Sequence, residues 1–243
     1  MSRKACFKKR SKTAEQMTDL TRDDVIKALS LVMVNEREFL GRWVFMNNVT
    51  VFEGLVAVML TQNTSDKVAT RVYERLKGRI GSITPNAILN LSRGELEEIL
   101  RPIGSFRQRA SRLIELATVV NERYGGSLEF IRNMNTEEAR KTLMSLPGVG
   151  PKTADVVLLN LGKPVFPVDT HIMRISHRLG IMGGYERVSA FWIKLMKPNE
   201  YLMVHLGLIA FGRAICRSRK PLCSNCPLRD KCRYYMSNKT LQA

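Results

Sequence analysis

Acidic residues are scarce in this sequence. Only 22 Asp and Glu offset 39 Lys and Arg, a formal net charge of +17. Long apolar runs are missing too, and none reaches the roughly 18–20 residues that a membrane span requires. Met1 to Cys6 lead into further Lys and Arg rather than an apolar segment, so no secretory signal is expected. No stretch sustains strict apolar/polar alternation, and there is no internal repeat or low-complexity tract. A chain that is 44% hydrophobic and 25% charged can bury a core, which excludes global disorder. The surplus positive charge selects a polyanionic partner, nucleic acid first, but names no activity.

The pattern is helical. Thr21 stands as a cap before Val25, Leu29, Val32 and Val34, which predicts a helix over 21–40. Phe52 to Leu60 is nearly all apolar and reads as a buried central helix. Val68, Val72 and Leu76 mark the next one. Thr84-Pro85 and Ser92 to Glu95 have the form of helix starts. Ala110, Leu113, Ile114, Ala117 and Val120 form a stripe ended by Gly125-Gly126, and Thr136 is the expected cap of a helix running to Leu146. The fold class is therefore all-α. The N-terminal residues 1–20, with Arg3, Lys4, Lys8, Lys9, Arg10 and Lys12, read as a flexible basic arm in which Cys6 has no role.

Cysteine is rare except in one place. Cys216, Cys223, Cys226 and Cys232 are spaced C-x6-C-x2-C-x5-C. Without a secretory signal a disulfide framework is not expected. Four thiolates suit a tetrahedral zinc or the corners of a [4Fe–4S] cluster. Only Cys223 and Cys226 form a zinc-type knuckle, and the longer arms fit a bulkier guest. Zinc stays open at this point. Arg213, Arg217, Arg219, Lys220, Arg229, Lys231 and Arg233 surround these cysteines, so a metal that shapes this loop would also shape a phosphate-binding surface.

Leu146-Pro147-Gly148-Val149-Gly150-Pro151-Lys152 is a helix–hairpin–helix signature. Gly148 and Gly150 permit close backbone approach around Val149, and amides at the start of the second helix can face a phosphate without reading sequence. Lys152 falls in the first turn, where the positive end of the helix disfavours an ammonium and frees an amine. It is a phosphate contact or an activated nucleophile. Further on, Val168-Asp169-Thr170-His171 precedes an amphipathic helix ending at Gly180. Asp169 is a helix cap whose carboxylate can also stabilise positive charge if it faces a cleft. His171, His177 and His205 receive no role.

Together, L-P-G-V-G-P-K-T-A-D, V-D-T-H-I-M-R-I and the cysteine spacing resemble the endonuclease III family of DNA glycosylases, over about Phe52 to Cys232. The resemblance implies a two-domain architecture. A six-helix domain would span 51–164, with the helix–hairpin–helix at about 140–160, and an iron–sulfur domain would combine 21–50 with 165–243. It implies a [4Fe–4S] cluster on Cys216, Cys223, Cys226 and Cys232. It further implies a bifunctional glycosylase/AP lyase acting on duplex DNA, with Lys152 attacking the sugar C1′ and Asp169 stabilising the charge that develops. Gln62 or Asn63 would fill the gap left by the flipped base, and Ser105 would face the opposite strand.

Ala57 stands where the adenine-specific branch has a catalytic Glu, and Lys152 is present where the monofunctional thymine-mismatch branch lacks it. Oxidised pyrimidines are thus the expected lesions, with uracil or thymine opposite guanine as the alternative. A DNA-binding iron–sulfur redox sensor is the alternative from another class. A monomer with no membrane partner is expected, in an intracellular setting: cytoplasm and nucleoid in a prokaryote, nucleus in a eukaryote.

Overall fold

The computed structural model describes residues 19–239, so nearly all of the basic arm and Cys6 lie outside the described residues. Among the described residues there are thirteen α-helices, several short 3₁₀ turns and no strand. The chain is all-α.

The centre is α3 (Val51–Leu60). All ten of its residues are buried, and Thr50 caps its start by accepting from Glu53 N–H. It packs against α2 (Leu40–Met46), α4 (Asp66–Ile80) and α9 (Pro151–Asn160). Gly54 is the price of that closeness: a Cβ there would meet the Phe45 ring at 2.2 Å. Around this core lie α5 (Pro85–Leu89), α6 (Arg93–Leu100) and α7 (Phe106–Tyr124), with α5 and α6 both packed on α7. The Ser92/Glu95 capping box and Pro85 at the first helical position form as the sequence predicts.

Two helix boundaries differ from the sequence expectation. The first helix, α1 (Arg22–Leu29), starts at Thr21 in a capping box with Asp24 but stops well short of Leu40. Asn35 turns the chain instead, its side chain accepting from Arg37 N–H at 3.2 Å to open a 3₁₀ turn. Val32 and Val34, two residues apart, reach the core without a helix. Further along, α8 (Thr136–Met144) is capped by Asn135, not Thr136. The Asn135 side chain accepts from Glu138 N–H at 2.9 Å, and the helix ends two residues before Leu146. Asparagine is the stronger N-cap of the two, which explains the shift.

The segment between α8 and α9 is the predicted hairpin. Gly148 has φ +76°, and an added Cβ would lie 2.9 Å from Met59 Cε. The positive φ favours glycine there, and a larger residue would also displace the Met59 methyl. Beyond α9 come α10 (Thr170–Leu179), α11 (Tyr185–Leu195), α12 (Tyr201–Ala214) and α13 (Arg233–Lys239). Helix α10 packs on α11, α12 and α13, and α1 packs on α12. No helix among the described residues is long and apolar enough to cross a membrane.

Candidate active site and nucleic-acid interface

The start of α9 and the start of α10 face one cavity of about 500 Å³. Lys152, one residue into α9, and Asp169, the N-cap of α10, both line it. Asp169 Oδ1 accepts from Ile172 N–H at 2.8 Å. That bond fixes the carboxylate and leaves its other oxygen without a partner among the described residues. Lys152 Nζ likewise has no hydrogen-bond or ion-pair partner there. Burial pushes the Lys152 ammonium below the usual lysine range, while the negative charges of Asp169 and Asp66 oppose that shift. An amine held this way is partly desolvated, next to a carboxylate and free to attack.

The cavity wall contains residues that sequence reasoning left aside. His205 is buried, and its Nδ1 lies 3.0 Å from the Pro167 carbonyl. A carbonyl only accepts, so Nδ1 carries the hydrogen and Nε2 is an acceptor. Burial lowers the His205 pKa to about 4, keeping the ring neutral. His171 also lines the cavity, with its Nδ1 3.0 Å from Arg174 Nη2 and its pKa lowered by burial. Asp66 accepts from Arg213 Nη2 at 2.7 Å and from Leu40 N–H at 3.2 Å, joining α4, α12 and α2 at the rim. Apart from His171 and Arg174, three residues apart on α10, these partners lie far apart along the chain and nothing local in the sequence marks them.

A buried network stands behind the two central side chains. Asp155, one turn beyond Lys152, accepts from Arg140 Nε at 2.7 Å and Nη2 at 3.2 Å. It also accepts from the Tyr185 hydroxyl at 2.7 Å. The same hydroxyl lies 3.4 Å from Val168 N, the residue before Asp169. The network therefore ties the hairpin helices to the approach of α10.

The expected DNA-facing residues surround the mouth. Gln62 Nε2 donates to the Gly148 carbonyl at 3.2 Å and to Thr153 Oγ1 at 3.0 Å, so its amide is committed to the hairpin. Asn63 is exposed with φ +50°, and Ser105 is exposed with φ +56°. Both line a second cavity of about 320 Å³ beside Met59. Val149 is buried and its N–H donates to the Leu146 carbonyl at 3.2 Å, whereas Gly150 is exposed at the N-terminal end of α9.

The four cysteines follow α12. Cys216, Cys223, Cys226 and Cys232 are free thiols, each half-buried. Arg178 Nη1 donates to Cys216 Sγ at 3.2 Å, and Cys232 Sγ donates to the Arg178 carbonyl at 3.4 Å. Burial raises the Cys226 thiol to about 11, with the other three cysteines as electrostatic neighbours. A tetrahedral zinc needs four sulfurs about 2.3 Å from one point. Among the described residues no group of three or more such donors converges to hold a single ion.

An all-α chain with a hairpin-borne lysine facing a capping aspartate defines a class of DNA repair protein. Residues 56–198 match the family described as HhH-GPD superfamily base excision DNA repair protein. The chain belongs to that superfamily and, within it, to the endonuclease III family of DNA glycosylases. It is 33% identical over 209 residues to an endonuclease III of Sulfolobus acidocaldarius, covering 84% of this chain and 92% of that one. It is 35% identical over 191 residues to a thymine-DNA glycosylase of Aeropyrum pernix, covering 74% and 81%. The solved structure of a trapped endonuclease III–DNA covalent intermediate is similar at a TM-score of 0.71 and 30% identity, covering 90% of this chain and 99% of the other. As an enzyme of this family, the chain is not a mere redox sensor.

Proposed function

We propose that this glycosylase is bifunctional, removing oxidised pyrimidines from duplex DNA and nicking the strand as an AP lyase. The observation that carries the reading is the unpartnered, half-buried Lys152 amine sharing one cavity with Asp169. The flipped nucleotide enters the cavity. Lys152 Nζ bonds to C1′ as the bond from C1′ to the base breaks, and the base leaves with the bonding pair and takes up a proton. The Asp169 carboxylate stabilises the positive charge that builds on the sugar. Loss of a proton from nitrogen and opening of the ring give the Schiff base. Removal of a C2′ proton then expels the 3′ phosphate by β-elimination, and water releases the lysine.

Asn63 is the side chain that fills the vacated stack, because Gln62 is engaged with the hairpin and supports the turn. Ser105 faces the opposite strand. Gly148, Val149 and Gly150 offer backbone to a phosphate. The chain acts as a monomer inside the cell, wherever its duplex DNA resides. The division into 51–164 and 21–50 with 165–243 is part of the same proposal. It is supported by the packing of α1 on α12, whereas α2 packs on α3, α4 and α9 of the 51–164 part.

The chemistry of the donor set fits a [4Fe–4S] cluster: four half-buried thiols, none in a disulfide, with the other three as electrostatic neighbours of Cys226. Cys216, Cys223, Cys226 and Cys232 would hold it. Bound there, it would fix the basic loop for phosphate docking, since neither base removal nor β-elimination transfers net electrons. Purified protein is expected to be brown with about four iron and four sulfide per chain. A colourless, fully active zinc protein would refute this part.

The second reading, excision of uracil or thymine opposite guanine, is favoured by the likeness to the Aeropyrum pernix thymine-DNA glycosylase. A borohydride-trapping panel over thymine glycol, 5-hydroxycytosine, U·G, T·G, 8-oxoguanine and abasic duplexes separates the two. Wild-type protein should trap on abasic DNA, and Lys152→Gln should bind without trapping. Wild type that fails to trap would sink the bifunctional reading.

A further inference from the structure

We propose that Arg109 is a positioning residue that locks the 61–64 turn and the 103–105 turn into one rigid unit, so that both enter the duplex at a set spacing. This rests on the reading above that Asn63 and Ser105 face DNA. The geometry is unusual for an arginine near a basic surface. Its guanidinium is turned inward and used up on acceptors of the protein itself. Nε donates to the Gly104 carbonyl at 2.8 Å, and Nη1 donates to the Met59 carbonyl at 3.2 Å. Nη2 donates to the Gln62 carbonyl and, at 3.3 Å, to Thr64 Oγ1. One planar fork thus bonds the last turn of α3, the turn that follows it and the turn that precedes α7.

Two further observations converge on the same turns. Asn63 and Ser105 both have positive φ, 50° and 56°, without being glycine. Such residues persist where surrounding bonds over-determine the backbone, and among the described residues Arg109 is the one side chain bonded to both turns. Gln62, whose backbone carbonyl Arg109 holds, reaches on through its side-chain amide to the Gly148 carbonyl of the hairpin. A continuous chain of bonds therefore runs from hairpin through wedge turn to the 103–105 turn. Lysine cannot replace it, because an ammonium lacks the fork that spans separate carbonyls.

The test uses Arg109→Met and Arg109→Lys in the full-length protein. The first readout is the emission of 2-aminopurine opposite a non-hydrolysable abasic analogue, at saturating protein. Wild type should raise the emission as the base unstacks, and both variants should lose most of that rise. The second is single-turnover base release from duplex, expected to fall on the order of 10²-fold, the scale of small misplacements. Trapping on single-stranded abasic DNA, where no stack is opened, should stay within about twofold of wild type. If Arg109→Met does not fold, Arg109→Lys is read alone. Wild-type emission in either variant, or equal losses on duplex and single strand, overturns the proposal. Wild-type protein that traps on neither substrate refutes the lyase reading instead, and the emission series still decides the clamp.

Discussion

On the proposed reading Asp169 does two jobs, as helix cap and as charge stabiliser, and the two can be separated. One oxygen caps α10 through Ile172 N–H, and the other is open to the cavity. Asparagine caps a helix about as well as aspartate, so Asp169→Asn keeps the bond and loses only the charge at the helix start, roughly 0.3–1 kcal/mol. Asp169→Ala also loses the cap, a further cost of about 1 kcal/mol, or roughly 2–4 °C in melting temperature for a chain of this size. Chemistry should respond differently. Removing a charge placed to meet the transition state typically costs about 10²–10³-fold, so both variants should fall by that amount in single-turnover base release. The pH profile adds a sign. Asp169 holds the Lys152 pKa up against the effect of burial, so its neutralisation lets that pKa fall further. The reactive amine is the deprotonated form, and the acid limb of trapping on abasic DNA should therefore move to lower pH in Asp169→Asn. A variant that retains wild-type rate, or whose acid limb moves to higher pH, refutes the assignment.

Other outcomes follow from the same bonds. Asp155→Ala takes the two-pronged acceptor from Arg140, which keeps Glu186 at 2.8 Å, and should cost about 2–3 kcal/mol, lowering the melting temperature by roughly 5–10 °C. Tyr185→Phe, which removes the bond to Asp155 and the longer one from Val168 N–H, should cost about 1–2 kcal/mol, and an Asp155→Ala protein that melts like wild type would discount the network. Gly148→Ala meets Met59 Cε and an unfavourable φ, whereas nothing lies within 4 Å of a Cβ added at Gly104. Melting curves should rank the former well below the latter, and the reverse order would contradict the hairpin geometry. Hydrogen bonding from Lys231, then Thr21, holds the Asp24 carboxyl at about 2, below its ordinary value. Its contribution is therefore present above about pH 4 and lost as pH falls toward 2. Asp24→Asn should remove that part of the acid dependence from a melting-temperature series, and an unchanged slope would count against the tether.

Much of this was legible in local patterns. Thr84-Pro85, Ser92 with Glu95, Gly125 and Gly180 act within one turn of themselves, so spacing alone locates them. The hairpin reads as clearly, because Gly148 and Pro151 answer backbone demands that few other residues meet. Misreading began where two local solutions competed. Val32 and Val34 satisfy a helical period but bury equally well without a helix, and Asn35 decides between them. What stayed hidden was convergence across the chain. Arg213 meets Asp66, His205 meets the Pro167 carbonyl, and Arg109 meets Met59, and none of these pairs has a periodic signature. A histidine in an apolar helix looks like packing until the helix is laid beside a catalytic wall.

The bond between Asp66 and Arg213, with Leu40 N–H on the same carboxylate, gives the cavity a set aperture. A mouth joined at its rim is poorly suited to gripping by closure. The mechanical work of exposing a base then falls on the double helix, whose resistance varies with how well each base stacks and pairs. Damage that loosens the stack lowers that resistance before any side chain has touched the base's edge. On the proposed reading, the first discrimination would then lie in the softness of the duplex at the lesion.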